Sequence, residues 1–166
     1  INIVLVMEKK IDIQKLFQEK KYSEIILLLD YKIPENQKNC GLLNLLGVCR
    51  LLKVKGKINK EDYIRAINDF KKAFSKEKRT QNSLEAFKNF INVSVDLYNY
   101  ENSTENHQKA YEFFKEILNI YDQDKDYFSK DGFLLLSLAR IQTRLINLDK
   151  VREYLGKLVK NKFYKP

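Results

Sequence analysis

The stretch that decides the fold reads Gly41-Leu-Leu-Asn-Leu-Leu-Gly-Val-Cys-Arg-Leu-Leu52 and, after a basic linker, Tyr63-Ile-Arg-Ala-Ile-Asn-Asp-Phe-Lys-Lys-Ala-Phe74. Leucines recur at helical spacing in the first half, around Gly47, where glycine costs about 1 kcal/mol relative to alanine. Such a glycine predicts that another helix comes close. The second half places small and large side chains on one helical face, at spacings of four and three: Ala66, Phe70 and Ala73. The sequence therefore predicts two packed helices.

The same pattern returns later in the chain. Aligning the stripes makes Ile25, Ala66, Ala110 and Val151 equivalent, with separations of 41, 44 and 41 residues. This period predicts four helical hairpins, over residues 8–34, 40–78, 83–121 and 130–163. The residues expected to pack the hairpins are Gly47, Ala66, Phe70, Ala73, Ala110, Phe114, Ala139, Val151 and Leu155.

The Leu46-Gly47 pair and the alanine-aromatic-alanine stripe resemble the tetratricopeptide (TPR) repeat, whose two helices carry these residues at these offsets. The resemblance implies an all-α, right-handed superhelix of about four hairpins, forming a single domain over residues 8–166. Residues 1–7 would be an N-terminal extension or a wrongly assigned start. A tetratricopeptide unit has about 34 residues, so the middle units would carry insertions, and the longer period is also typical of other α-solenoids.

The amino-acid composition favours helices and limits the classes of partner that the chain could bind. The chain has 5 glycines and 2 prolines, too few turn-forming residues for several strands, and its 44% hydrophobic content allows a substantial core. The net charge of +9 could serve an acidic partner, nucleic acid or an anionic membrane surface. Most of the basic residues are lysines beside many Asn and Ile, which an AT-rich coding bias would also produce. Because phosphate and base recognition favour arginine, we expect a protein or peptide partner rather than nucleic acid.

The cysteines indicate a cytoplasmic protein, and the apolar runs predict no membrane span. Cys40 and Cys49 on one helix would lie about 13 Å apart, beyond the Cα distance that a disulfide allows. Reduced thiols are typical of the cytoplasm. The apolar run from Leu134 to Leu138 is far shorter than a membrane span requires.

Catalysis is not expected. The chain has a single histidine, His107, which we interpret as an exposed residue, and a metal site needs several converging ligands. Gly56-Lys57 lacks the earlier glycine and the following Ser or Thr of a phosphate-binding loop. We therefore expect no cofactor, no metal and no enzymatic activity.

The tetratricopeptide resemblance implies a concave groove lined by the first helix of each hairpin. Arg140 and Arg144, four residues apart, would present two guanidinium groups to a carboxylate or phosphate there. An ordinary solvated helix face is the alternative. The full predicted partner-binding set is Asn44, Val48, Lys88, Ile91, Val95, Tyr98, Phe133, Leu136, Arg140 and Arg144.

Two functions follow from different classes of protein. The first is a non-catalytic scaffold that binds a peptide or protein segment in the groove. The second is a helical accessory region of a larger bacterial enzyme, because Gly41 to Arg50 also resembles helical-repeat regions that precede sulfotransferase or glycosyltransferase domains in some bacteria. Phe163, Tyr164 and Pro166 look like the entry to another element, which predicts that the natural chain continues beyond residue 166.

Overall fold

The computed structural model describes residues 3–6, 9–53, 58–101 and 103–161. Within them, nine α-helices follow a two-stranded antiparallel sheet, so the fold is all-α apart from one hairpin. The helices are α1 (Ile13–Gln18), α2 (Tyr22–Leu27), α3 (Cys40–Leu52), α4 (Lys60–Lys76), α5 (Gln81–Asn99), α6 (Thr104–Gln123), α7 (Lys125–Phe128), α8 (Gly132–Arg144) and α9 (Leu148–Lys160). No helix in this part of the chain is long and apolar enough to cross a membrane.

The N-terminal hairpin is an element that the sequence did not predict. Strand β1 (Ile3–Val6) pairs with β2 (Lys9–Asp12), with Ile3 opposite Asp12 and Val6 opposite Lys9. Much of the predicted extension over residues 1–7 is therefore a paired strand. The first helix starts at Ile13, because the Asp12 side chain accepts a hydrogen bond from the Lys15 backbone N–H at 3.1 Å and caps the helix.

The chain divides into two compact units, Ile1–Phe90 and Ile91–Pro166. In the first unit α1 packs on α2, α2 on α3, and α3 on α4. A π-helical turn, Leu28–Lys32, follows α2, and a single 3-10 turn, Glu35–Gln37, leads towards α3. One apolar core of this unit draws buried residues from α1, α2, the π-helical turn and α3, among them Ile13, Ile25, Leu29, Leu42, Leu46 and Cys49.

The close helix contact predicted at Gly47 is confirmed. A Cβ atom at this position would lie 2.6, 2.8 and 2.9 Å from three ring carbons of Phe70. Phe70 itself is buried between Ala66 and Ala73, which are also fully buried. The small residues therefore let the aromatic ring of α4 lie directly on the α3 backbone.

Side-chain caps fix where the helices of the first unit begin. Asn39 accepts a hydrogen bond from Leu42 N–H at 2.9 Å, and Asn59 accepts one from Asp62 N–H at 2.8 Å. The third predicted hairpin was expected to begin at residue 83, but α5 begins at Gln81. Thr80 and Ser83 exchange reciprocal backbone-to-hydroxyl hydrogen bonds of 3.0 and 3.1 Å, in the manner of a capping box.

In the second unit, α6 buries the predicted stripe of Ala110, Phe114 and Ile117, and α8 packs on α9. The last helix differs from the prediction by one residue. Tyr154 is buried there, whereas Leu155 is 41% exposed and Val151 is half-buried. The buried side of α9 follows Val151, Tyr154 and Leu158, a stripe with the same three-and-four spacing turned by one position.

Several helices end without the glycine that usually terminates them. Lys20, Arg79, Glu101 and Ile146 all have positive φ angles between 54° and 57°. After α8, Ile146 N–H bonds to the Thr143 carbonyl at 3.1 Å and Asn147 N–H to the Gln142 carbonyl at 2.9 Å, the pattern of a Schellman motif. A left-handed conformation costs a β-branched residue free energy that glycine would avoid.

Candidate functional site

In the first unit, the predicted groove residues Asn44, Val48 and Lys88 are all half-buried. Asn44 Oδ1 accepts a hydrogen bond of 3.0 Å from Asn89 Nδ2, a residue that sequence reasoning had not selected. This bond ties α3 to α5. Asn44 is therefore already engaged within its own unit.

In the second unit, the predicted residues of α5 differ in how accessible they are. Ile91 is fully buried and Val95 is half-buried, so Ile91 belongs to the core rather than to a ligand-accessible surface. The expectation had taken one face of α5 as open, but buried residues occur around most of this helix, among them Phe87, Phe90, Val93 and Leu97.

Tyr98 lies at the centre of an aromatic cluster that joins α5 to α6. His107 stacks on it with ring centroids 4.2 Å apart and an interplanar angle of 16°, so this histidine is half-buried rather than exposed as predicted. Tyr111 and Phe114 complete the cluster at 5.6 and 5.9 Å from the Tyr98 ring. A hydrogen bond with Tyr98 raises the pKa of Tyr111.

The predicted residues of α8 do reach the surface. Phe133 is 51% exposed, Leu136 is 36% exposed and Arg140 is also exposed. Spacings of three and four place them on one face of the helix. Asp131 sets the start of this helix by accepting a hydrogen bond of 2.8 Å from Leu134 N–H, and the opposite face of α8 supplies the core residues Leu134, Leu135, Leu138 and Ile141.

The two arginines of α8 have different roles. Arg144 donates from Nη1 to the Arg140 carbonyl at 3.0 Å and from Nη2 to Asn99 Oδ1 at 3.3 Å, and its guanidinium lies 5.5 Å from the centre of the Tyr98 ring. Arg144 is thus held within the unit. The Arg140 guanidinium forms no ion pair with any residue that the structure describes.

The carboxylate of Asp96 interacts electrostatically with Arg144. Loss of hydration raises the pKa of Asp96, an exposed residue of α5, and attraction to Arg144 opposes that shift. The surface of α8 therefore combines the exposed apolar side chains of Phe133 and Leu136 with two guanidinium groups. That of Arg140 pairs with no carboxylate among the described residues, and that of Arg144 is already hydrogen-bonded.

A buried ionic network in the first unit is the main feature that sequence reasoning missed. Arg50 Nε donates to Asp69 Oδ2 at 2.5 Å, and its Nη2 donates to Asp30 Oδ1 at 2.8 Å. Burial lowers the pKa of Arg50, but the two aspartates more than compensate and keep it above its ordinary value. Burial also raises the pKa of Asp69, against the effect of Arg50. The network connects α3, α4 and the π-helical turn.

Two further kinds of side chain could carry chemistry, namely metal ligands and thiols. No group of three or more His, Cys, Asp or Glu residues there is placed to hold a metal ion. Cys40 and Cys49 are free and buried, and burial raises the pKa of Cys49 to about 12. Such a thiol stays protonated and is a poor nucleophile at neutral pH.

No protein-family model matches the chain, and no curated protein is significantly similar to it. The structure establishes an all-α fold of packed helices, and the candidate site is the exposed face of α8. Two stretches discussed from the sequence lie outside the described residues. They are the linker at residues 54–57, with Gly56-Lys57, and the C-terminal Phe163, Tyr164 and Pro166.

Proposed function

We propose that this chain is a tetratricopeptide-like, non-catalytic scaffold that binds a protein segment on the exposed face of α8. The observation that carries the proposal is the alignment of the exposed Phe133 and Leu136 with the Arg140 guanidinium, which has no ion-pair partner in the part of the chain that the structure describes. Exposed apolar side chains beside a charge are typical of surfaces that recognise peptides. The glycine of α3 under the Phe70 ring supports tetratricopeptide-like packing within the first unit. The right-handed superhelix and the four hairpins are part of the same proposal.

The spacing on α8 suggests what the bound segment carries. A rise of 1.5 Å per residue separates Leu136 from Arg140 by about 6 Å along the axis, and Phe133 from Arg140 by about 10 Å. An extended chain advances about 3.3 Å per residue. A segment with a carboxylate two or three residues from an apolar side chain would therefore contact Arg140 and one apolar residue together.

The test is a selection of displayed random peptides on the full chain, followed by anisotropy titration of the enriched peptides. Leu136→Ser should weaken their binding about tenfold, because an exposed leucine that becomes buried contributes about 1.5 kcal/mol. Leu155→Ser is the matched control, since Leu155 has similar exposure, 41% against 36%, but lies on α9. Arg140→Glu should also weaken binding, with Lys115→Glu on α6 as the charge control.

The result that would contradict the proposal is equally specific. Either the selection enriches no peptide over the background, or Leu155→Ser weakens binding as much as Leu136→Ser does. In the second case the peptides would bind elsewhere on the second unit, and the α8 face would be an ordinary solvated surface.

A further inference from the structure

The charges of α4 are more one-sided on the surface than in the sequence. Between Lys60 and Lys76 the helix has five basic and three acidic residues, which would make a mixed surface. In the folded unit, however, most of the acidic residues are buried while several basic residues stay exposed. Asp62 and Asp69 are both buried, where Lys53 pairs with Asp62 at 2.8 Å and Arg50 with Asp69 at 2.5 Å. Two of the three carboxylates are thus neutralised inside the unit.

The exposed residues of α4 recur at helical spacing along one face, and they are Glu61, Arg65, Asn68, Lys72, Ser75 and Lys76. Beyond the first turn, every charge among them is positive. Among the described residues neither Arg65 nor Lys76 forms an ion pair. Lys72 lies 3.4 Å from Glu35, but that carboxylate also pairs with Lys38 at 2.9 Å. Exposed pairs of this kind contribute little and leave Lys72 able to exchange partners.

We propose that this basic face of α4 is a second docking surface, which takes an acidic protein segment. It is separate from the α8 face and does not depend on the function proposed for that face. Arg65 and Lys76 lie about 16 Å apart along the axis, with Lys72 between them. Carboxylates on one side of an extended acidic segment repeat at about 7 Å, so they reach several of these cations in turn.

The composition of the face favours carboxylates over a nucleic acid. None of its exposed residues is aromatic, so it offers no platform on which bases could stack. Two of its three cations are lysines, which lack the planar fork that arginine presents to phosphates. Asn68 and Ser75 add neutral polar groups between the charges, and no apolar side chain is exposed on the face.

The experiment measures binding of a fluorescent polyglutamate peptide to the full chain, by anisotropy, at about 0.05 M and about 0.5 M salt. The double variant Arg65→Glu/Lys76→Glu removes two cations from the face. Its matched control, Lys115→Glu/Lys130→Glu, reverses two exposed lysines of the second unit. The net charge falls from +9 by the same amount in both. Arg65→Gln/Lys76→Gln is a milder variant that introduces no repulsion.

We expect the wild type and the control to bind the peptide within about twofold of each other at low salt, and the Arg65→Glu/Lys76→Glu variant about tenfold more weakly. The glutamine variant should fall between them, and high salt should remove the difference. Equal weakening in the variant and its control would overturn the proposal, because net charge alone would then explain binding. Tighter binding of duplex RNA than of polyglutamate, lost in the same α4 variant, would also overturn it and assign the face to phosphate polymers.

Discussion

Gly47 allows the most direct test of the packing, because the structure defines what any larger side chain would meet. An alanine there would place its Cβ atom 2.6 to 2.9 Å from the Phe70 ring, whereas carbon atoms in contact prefer about 3.5 to 4 Å. The ring would have to retreat by about 1 Å. Phe70 is buried beside Ala66 and Ala73, so there is little free space to receive it.

The expected magnitude combines two opposing effects. Overpacking of this kind lowers the free energy of unfolding by about 1 to 3 kcal/mol, whereas replacing glycine by alanine inside a helix raises it by about 1 kcal/mol. Gly47→Ala should therefore lower the free energy of unfolding by about 1 kcal/mol. Gly156→Ala is the control for the second effect and should raise stability, because no described atom beyond its own stretch of helix lies within 4 Å of the added Cβ atom. Gly41 lies on α3 like Gly47, but the Cβ atom of Gly41→Ala would lie 3.5 Å from Asn39 Oδ1, an ordinary van der Waals contact.

The assay is urea denaturation followed by far-UV circular dichroism, because the chain has no tryptophan. Phe70→Leu separates the clash from other effects, since it gives the new methyl group room. The free energy of unfolding of Gly47→Ala/Phe70→Leu should exceed the value expected from adding the two single changes, by a coupling free energy of about 1 kcal/mol. A Gly47→Ala protein stabilised as much as Gly156→Ala, together with zero coupling to Phe70, would refute the close contact.

Three further predictions concern the ionic network, a helix end and pH. Arg50→Met should cost about 3 to 5 kcal/mol, because Asp69 would be buried without its cation, and adding Asp69→Asn should recover part of that loss in urea denaturation. Ile146→Gly should raise the melting temperature through about 1 kcal/mol of relieved strain; no change would show that φ near 56° is not costly here. Lys150 and Lys157 lower the pKa of Glu153 to about 2, so its stabilising effect should disappear as pH falls from about 4.5 towards 2. Glu153→Gln should then lose less stability than the wild type between about pH 6 and pH 3, and parallel curves would contradict this.

The sequence predicted the features that depend on local periodicity. The Gly47 contact and the buried stripes of α4 and α6 follow from side chains three and four residues apart, which one helix brings together by itself. In α9 the same periodicity supports two stripes that differ by one position. The alignment selected Leu155, whereas packing in the folded unit selected Tyr154.

The ionic network and the accessible surface could not be predicted in the same way. Arg50 pairs with aspartates 19 and 20 residues away in the sequence, and the signal for it was indirect. Asp62 and Asp69 fall on the same helical stripe as Ala66 and Ala73, which indicates acidic groups that need a buried partner. Whether a residue such as Ile91 is accessible depends on every helix packed around it, which periodicity within one helix does not specify.

The two cysteines give the chain a built-in reporter of local opening. Both lie in α3, within the unit Ile1–Phe90, and the sequence contains no others. Burial keeps both thiols protonated and shielded, so a thiol reagent can modify them only when that unit opens. The rate of alkylation in native buffer would therefore measure the opening of the first unit alone, because residues 91–166 contain no cysteine that could react.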